Sequence, residues 1–345
     1  MRYGKICALL LLLVVAIALP FISPDATITS IGFFALLYTG AAIAWNLFSG
    51  YTGYISLGHA TFYGLGTYTL AIICEHWNVP GGYIPFLLLP LSGLIAAIFA
   101  LPLGWIALRT SQIGFAVVTL SYVFIFQLLA YNLSGITHGS QGIFFPLPSW
   151  SGDSYNFPFY FVALLLVGLT LLVSWWVRNS KYGLGLLAIR DDEDRALGLG
   201  VKTRRDKLVA FVISAFFIGM LGGLGSYFQG SISPSFAFSP AFDITVALMV
   251  LFGGAGTLAG PILGALLLEP LQQYVTLENN IRGLDLVLFG GILLVVLILL
   301  PDGIILAGRR RWTTWMNARK AKATLSTTDN SHQDGSLVAR SGGKG

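Results

Sequence analysis

Between Arg178 and Lys207 the chain reads RNSKYGLGLLAIRDDEDRALGLGVKTRRDK, a charged island with apolar runs on both sides long enough to cross a bilayer. It holds eight of the twelve Lys and Arg residues that precede position 309. A basic residue at the centre of a bilayer costs roughly 2.5–3.5 kcal/mol on an insertion scale, so a segment carrying eight of them stays in water. The chain must therefore thread a membrane before and after one hydrated loop. Backbone groups in lipid have to be satisfied within their own segment, so the threads are helices.

Composition agrees. The 345 residues are 55% hydrophobic and 10% charged, against about 25% charged in soluble domains. The 41 glycines suit helices that pack closely in lipid. The net charge of +5 is no sign of nucleic-acid binding: the tail after Gly308 has eight basic residues against two acidic ones. Bases beside a membrane mark its cytoplasmic side and anionic lipid. Cys7 and Cys74 both lie in apolar runs and suggest neither a disulfide frame nor a metal site.

The apolar runs are 6–21, 28–48, 60–73, 86–108, 113–133, 159–177, 208–228 and 284–300. All but the short third approach the roughly 17–25 residues of a spanning helix. The expected fold is an all-α polytopic integral membrane protein of about eight transmembrane helices, with Gly-broken or re-entrant segments. The first run reads either as a retained helix leaving the membrane at Pro20 and Pro24 or as a signal peptide cleaved after Ala16-Ile17-Ala18. The basic residues put the N-terminus, Arg109, the 178–207 loop and the 309–322 tail in the cytoplasm. The loop from Asn132 to Pro158, which has no Lys or Arg, falls outside.

Parity then raises a problem, because three plain crossings after the charged loop would leave the tail outside. The segment Phe242–Tyr274 offers the solution. It is broken by GGAGTLAGP (Gly253–Pro261), with about a dozen residues before the break, too few to cross. A helix that enters, turns at the glycines and returns to the same side restores parity. GYTGYISLGH (Gly50–His59) interrupts the N-terminal half in a similar way. Gly-broken segments in both halves point to a substrate path in transporters; Gly64 and Gly66 read instead as close helix contacts. The path candidates are Asn46, Gly53, Ser56, Gly58 and His59 at the first break, and Asp243, Gly253, Gly254, Gly256 and Thr257 at the second. Asp243 is open between an intramembrane role and a solvated position at the outer interface. His59 is open between substrate contact and a bond to neighbouring backbone. Glu269, before Pro270, either approaches the outer surface or pairs with Arg282. SGITHGSQG (Ser134–Gly142) in the outer loop reads as a contact for a binding protein, a gate, or a flexible loop.

Three stretches carry a family resemblance: GYTGYISLGHATFYGLGTY (50–68), LGLLAIRDDEDRALGLGVKTRRDKLVAFVISAFFIGMLGGL (184–224) and MVLFGGAGTLAGPILGA (249–265). In order and spacing they resemble the permease subunits of bacterial ABC importers for branched-chain amino acids, specifically the LivM-like type. The resemblance covers roughly 28–302. It implies a permease domain over 1–308, with 178–207 as the cytoplasmic coupling loop, and leaves 309–345 as a basic, partly disordered cytoplasmic tail. It implies a second permease subunit, two ATPase subunits docked below, and a periplasmic solute-binding protein above, all at the bacterial inner membrane. The coupling residues carried over are Arg190, Asp191, Asp192, Glu193, Asp194, Arg195, Ala196, Gly198 and Gly200. Asp192 is expected to cap a short helix, with Glu193 and Asp194 suiting its positive end. Ala196 and Gly198 are expected to leave a partner's groove unobstructed, and Arg190 and Arg195 to pair with a partner's acids. Relatives of this family also carry urea and other small polar solutes, which leaves the solute open.

No catalytic chemistry is visible. The chain has no G-x-x-x-x-G-K-[ST] phosphate loop, so ATP must be bound by partner subunits and no cofactor is expected here. Histidines 59, 76, 138 and 332 lack metal-ligand spacing, and no nucleic-acid partner is indicated. A secondary transporter or channel working alone is the rival class; it would need ionisable residues along the spans for ion coupling, and few are present.

Overall fold

The computed structural model describes residues 17–18, 20–21, 25–146, 148, 150, 155–278 and 290–291. The first and last apolar runs, Arg282 and the basic tail lie essentially outside the described residues, and so do the expectations attached to them.

The helices begin and end where local chemistry allows. Helix α1 (Ala26–Trp45) is capped by Asp25, whose side chain accepts from Thr27 N, and it runs on as a π-helical turn, Asn46–Gly50. After residues 51–58, α2 (His59–His76) leads back to α3 (Ile84–Ala107). Ser111 caps α4 (Gln112–Asn132). A short helix α5 (Ser134–Thr137) and the two-residue strand β1 (Ile143–Phe144) precede α6 (Asn156–Asn179). The charged island forms α7 (Lys181–Asp191) and α8 (Glu193–Gly198), and α9 (Thr203–Gln229) follows. Gly230, at φ 76°, ends α9 in the left-handed conformation that glycine adopts freely. Strand β2 (Ser231–Ile232), α10 (Pro234–Ala237), α11 (Pro240–Gly253) and α12 (Ala259–Glu278) complete the described chain. The two strands pair antiparallel, Ile143 opposite Ile232.

Among the described residues, six helical segments are long and apolar enough to cross a membrane: Ala26–Gly50, Ile84–Ala107, Gln112–Asn132, Asn156–Asn179, Thr203–Gln229 and Pro234–Gly253. At about 1.5 Å per residue, the 24 residues of α3 or α6 reach about 36 Å, more than the roughly 30 Å of a hydrocarbon core. The expectation of an all-α polytopic membrane protein holds. Five of the six segments match apolar runs of the sequence within a few residues, and the sixth joins α10 to α11. The short third run is α2.

Burial separates the centre from the lipid-facing rim. In α9, 72% of the apolar window is buried, against 28% in α4. Helix α9 packs against α2, α3 and α1. Helix α4 instead exposes Ile113, Val117, Phe124, Ile125 and Leu128, and α6 exposes Leu165, Leu169, Leu172, Trp175 and Trp176. In lipid, helices associate through close fit rather than through exclusion of water, and α2 against α9 shows it. A Cβ on Gly66 would strike the backbone of Gly219, and one on Gly222 would strike the Tyr63 carbonyl. Gly66 is thus a packing glycine, and Gly64, held against the Phe238 ring, is another.

Helices α11 and α12 form a hairpin, and α12 packs on both α11 and α1. The break in the second segment is therefore a turn between neighbouring helices, in line with the parity argument. All nine Lys and Arg between residues 25 and 278 fall at or beside the bundle end that carries α7 and α8. There Arg109 lies 3.7 Å above the Trp105 ring, and Arg204 Nη2 donates to the Trp105 carbonyl at 3.3 Å. Glu75 and His138 pair at the opposite end, 2.9 Å apart.

Candidate functional site

Two helices, α1 and α11, end in the interior of this bundle, and a helix end leaves carbonyls without intrahelical partners. Such groups at membrane depth need substitutes. The two glycine breaks supply them by meeting each other. Asn46, in the π-turn and 1% exposed, accepts from Gly256 N at 2.7 Å and donates through Nδ2 to the Thr257 carbonyl at 2.9 Å. The approach is close enough that a Cβ on Gly50 would lie 2.9 Å from Gly256 N. Gly256 itself has φ 76°, a conformation that a side chain would strain. Thr257 finishes the second turn: its hydroxyl donates to the Gly254 carbonyl at 2.8 Å and accepts from Gly260 N at 2.9 Å.

Two arginines bond three further carbonyls of the turns. Arg190, in the last turn of α7, donates through Nη1 to Gly50 O at 2.9 Å and to Ala255 O at 3.3 Å. Arg178, in the last turn of α6, donates to the Gly256 carbonyl. Cations at helix C-termini are favourable because the backbone dipoles converge there as partial negative charge. The charged island is thus bonded to both glycine breaks. Arg190, expected to reach a partner's acids, is engaged within its own chain, and its Cγ lies 3.2 Å from the Cβ position of Gly53.

A second tie runs from α8. Glu193 accepts from Lys207 Nζ at 2.5 Å and from the Tyr54 hydroxyl at 2.6 Å. Tyr54 lies in the first break, and its ring sits 4.1 Å below the Lys207 ammonium. Burial alone would raise the Glu193 carboxyl, but the bonds from Lys207 and Tyr54 overcome it and hold the group below its ordinary value.

The rest of α8 faces outward. Asp192 caps it, accepting from Arg195 N at 3.0 Å, as its position predicted. Arg195 pairs with Asp192 at 2.9 Å while its side chain stays 85% exposed. Asp191, Asp194, Gly198 and Gly200 are exposed, and Gly198 and Gly200 have open space around them. Ala196 does not face a partner's groove: it is buried against its own chain. Leu197 and Leu199 carry the exposed apolar surface instead, at 53% and 83%. Composition alone could not find them, since nothing in the local spacing says which small residue turns inward.

The other path candidates fall into a buried polar layer above the turns. Ser56 accepts from Trp45 Nε1 through its carbonyl at 2.9 Å. Gly58 has no room for a Cβ, which would lie 2.6 Å from the Thr119 carbonyl. His59 Nε2 meets Ser214 Oγ at 2.7 Å, and that hydroxyl donates to Ala44 O at 2.6 Å. With the serine proton already used, His59 must be the donor. Asp243 is fully buried, not solvated at an interface. Both its oxygens accept from Ala60 N at 3.1 Å. Gly58, the residue before α2, has no side chain to cap it, so Asp243 caps α2 from another helix. Glu269 is 2% exposed, away from any surface, and accepts from Gln273 Nε2 at 3.0 Å. Gly253 and Gly254 form the end of α11. Among the described residues no group of three or more His, Cys, Asp or Glu could hold a metal ion.

At the opposite end, a cleft of about 570 Å³ is lined by Cys74, Glu75, His138, Gln141 and residues 142–146. The SGITHGSQG stretch is ordered there as α5, a 3-10 turn and the approach to β1.

Comparison with known proteins accords with this architecture. The chain is 32% identical over 323 residues to the high-affinity branched-chain amino acid transport system permease protein LivM of Escherichia coli K12, covering 86% of this chain and 74% of that one. It is 26% identical over 286 residues to the corresponding LivH protein of Salmonella typhimurium, 78% of this chain and 91% of that one. A xylose transport system permease protein, XylH of Haemophilus influenzae, matches at 28% over 139 residues, 39% of this chain and 37% of its own. No solved structure matches. The family described as branched-chain amino acid transport system / permease component matches residues 27–297, and the chain belongs to that family, as a multi-pass membrane transport component rather than an enzyme.

Proposed function

We propose that this chain is one of a pair of permease subunits of an ABC importer in the bacterial inner membrane, carrying branched-chain or closely related amino acids. The relatives' functions support the solute class. The end that gathers all nine Lys and Arg of residues 25–278 is the cytoplasmic one, because bases are retained on that side. There α8 offers a separate ATPase subunit a capped, projecting helix with Leu197 and Leu199 outward. The opposite end, with its cleft between α2 and the 138–146 stretch, receives a solute-binding protein from the periplasm.

The observation that carries this reading is the position of α8: it is the exposed end of a segment bonded to both glycine turns. A push on it has somewhere to go. The test is deletion of Asp191–Gly200 in the full transporter, reconstituted in proteoliposomes with its ATPases and binding protein. The protein should still insert, and ATP-driven leucine, isoleucine and valine uptake should be lost. Undiminished uptake would reject the docking role. Competition by urea but not by leucine would reject the solute class.

A further inference from the structure

The two glycine turns lie some two hundred residues apart in sequence, yet one side chain of the charged island reaches both. Arg190 Nη1 lies 2.9 Å from the Gly50 carbonyl, at the end of α1's π-turn, and 3.3 Å from the Ala255 carbonyl, just beyond α11. Arg190 is the second-to-last residue of α7, and only Asp191 and the cap Asp192 separate it from α8. We propose that Arg190 is a positioning residue for transport: it joins the docking helix to both turns, so that one displacement of α8 shifts both together. The proposal rests on the reading of α8 as the ATPase contact.

The geometry favours a tie over a mere surface charge. Both acceptors are main-chain carbonyls left over at helix ends, one on the buried Gly50 and one on the half-buried Ala255, and a fixed donor there takes the place of water. The two turns already touch through Asn46, so a group gripping both can move them as one body. A guanidinium is rigid and planar, and its donors keep fixed directions. Its position between two carbonyls therefore constrains both, which a flexible ammonium does not. Arg178 holds the neighbouring Gly256 carbonyl from the end of α6, a fixed helix of the bundle. The second turn is thus held from the static side by Arg178 and from the driven side by Arg190.

The experiment compares wild type, Arg190→Ala and Arg190→Lys in the full transporter in proteoliposomes, reading three quantities: co-purification of the ATPase, ATP hydrolysis, and solute taken up per ATP hydrolysed. Both variants should keep the ATPase bound and hydrolysing within about twofold of wild type, while solute per ATP falls at least tenfold for alanine and severalfold for lysine. Wild-type uptake per ATP in both variants would overturn the proposal while leaving the importer reading intact. Loss of ATPase binding in the lysine variant would also overturn it, since Arg190 would then be part of the docking surface or of folding. The lysine variant decides the matter if the alanine variant does not assemble. Failure of the wild-type complex to take up amino acids with ATP would sink the importer reading itself.

Discussion

Replacing Asp243 with alanine separates a helix cap from a solute contact. Both oxygens of Asp243 accept from Ala60 N at 3.1 Å. Ala60 lies in the first turn of α2, whose own cap position is a glycine. Alanine would leave the buried Ala60 donor unpaired, at about 1–3 kcal/mol. Folded domains are commonly stable by only about 5–15 kcal/mol, so the loss is a large fraction. Asparagine keeps one acceptor oxygen in place and should lose about 1 kcal/mol. The assay is thermal unfolding of the detergent-solubilised protein, followed by proteolysis near residues 51–60. The expected order of stability is wild type, then Asp243→Asn well above Asp243→Ala, with new cleavage at the α2 start in the alanine variant alone. An alanine variant as stable as wild type but dead in uptake would refute the cap and return Asp243 to the solute path.

Two further outcomes are expected. The Glu193 carboxyl is held below its ordinary value of 4.5 by Lys207 and Tyr54 against the opposing effect of burial, so its contribution to stability is complete above about pH 4.5 and is lost as pH falls through the lowered value; melting curves from pH 7 to pH 3 should show this loss in wild type and a flatter response in Glu193→Gln. Gly222→Leu drives a side chain into the Tyr63 backbone, and overpacking of this kind destabilises by about 1–3 kcal/mol; lower thermal stability with no change in membrane insertion is the expected result.

Much of this architecture is legible in the sequence because lipid makes hydrophobicity nearly decisive. The boundaries of α3, α4 and α6 fall within three residues of the apolar runs, and Asp192 announces itself as a cap by lying just before two acids and a small-residue helix. The family was legible too, because three motifs in fixed order are far more specific than any one alone. What the sequence does not carry is which distant groups meet. Asn46 and Gly256 are 210 residues apart, and no periodicity links them. Arg190 looks like any solvated base of a charged loop until its carbonyl partners are seen. Asp243 looks like an intramembrane ion site because the cap it provides serves a helix from the other half of the chain. Ala196 and Leu197 differ in orientation only through the packing of α8 on its own chain.

The bonds that fasten the two turns to each other and to the arginines end on peptide groups: Gly50 O, Ala255 O, Gly256 N, Gly256 O and Thr257 O. Peptide groups are the same in every residue. Substitutions at a position such as Ala255 can therefore change the side chain beside the turns without removing a partner from these bonds, provided the glycines, Asn46 and the two arginines persist. The fastening is thus blind to most side chains, and sequence drift around it leaves the two turns joined.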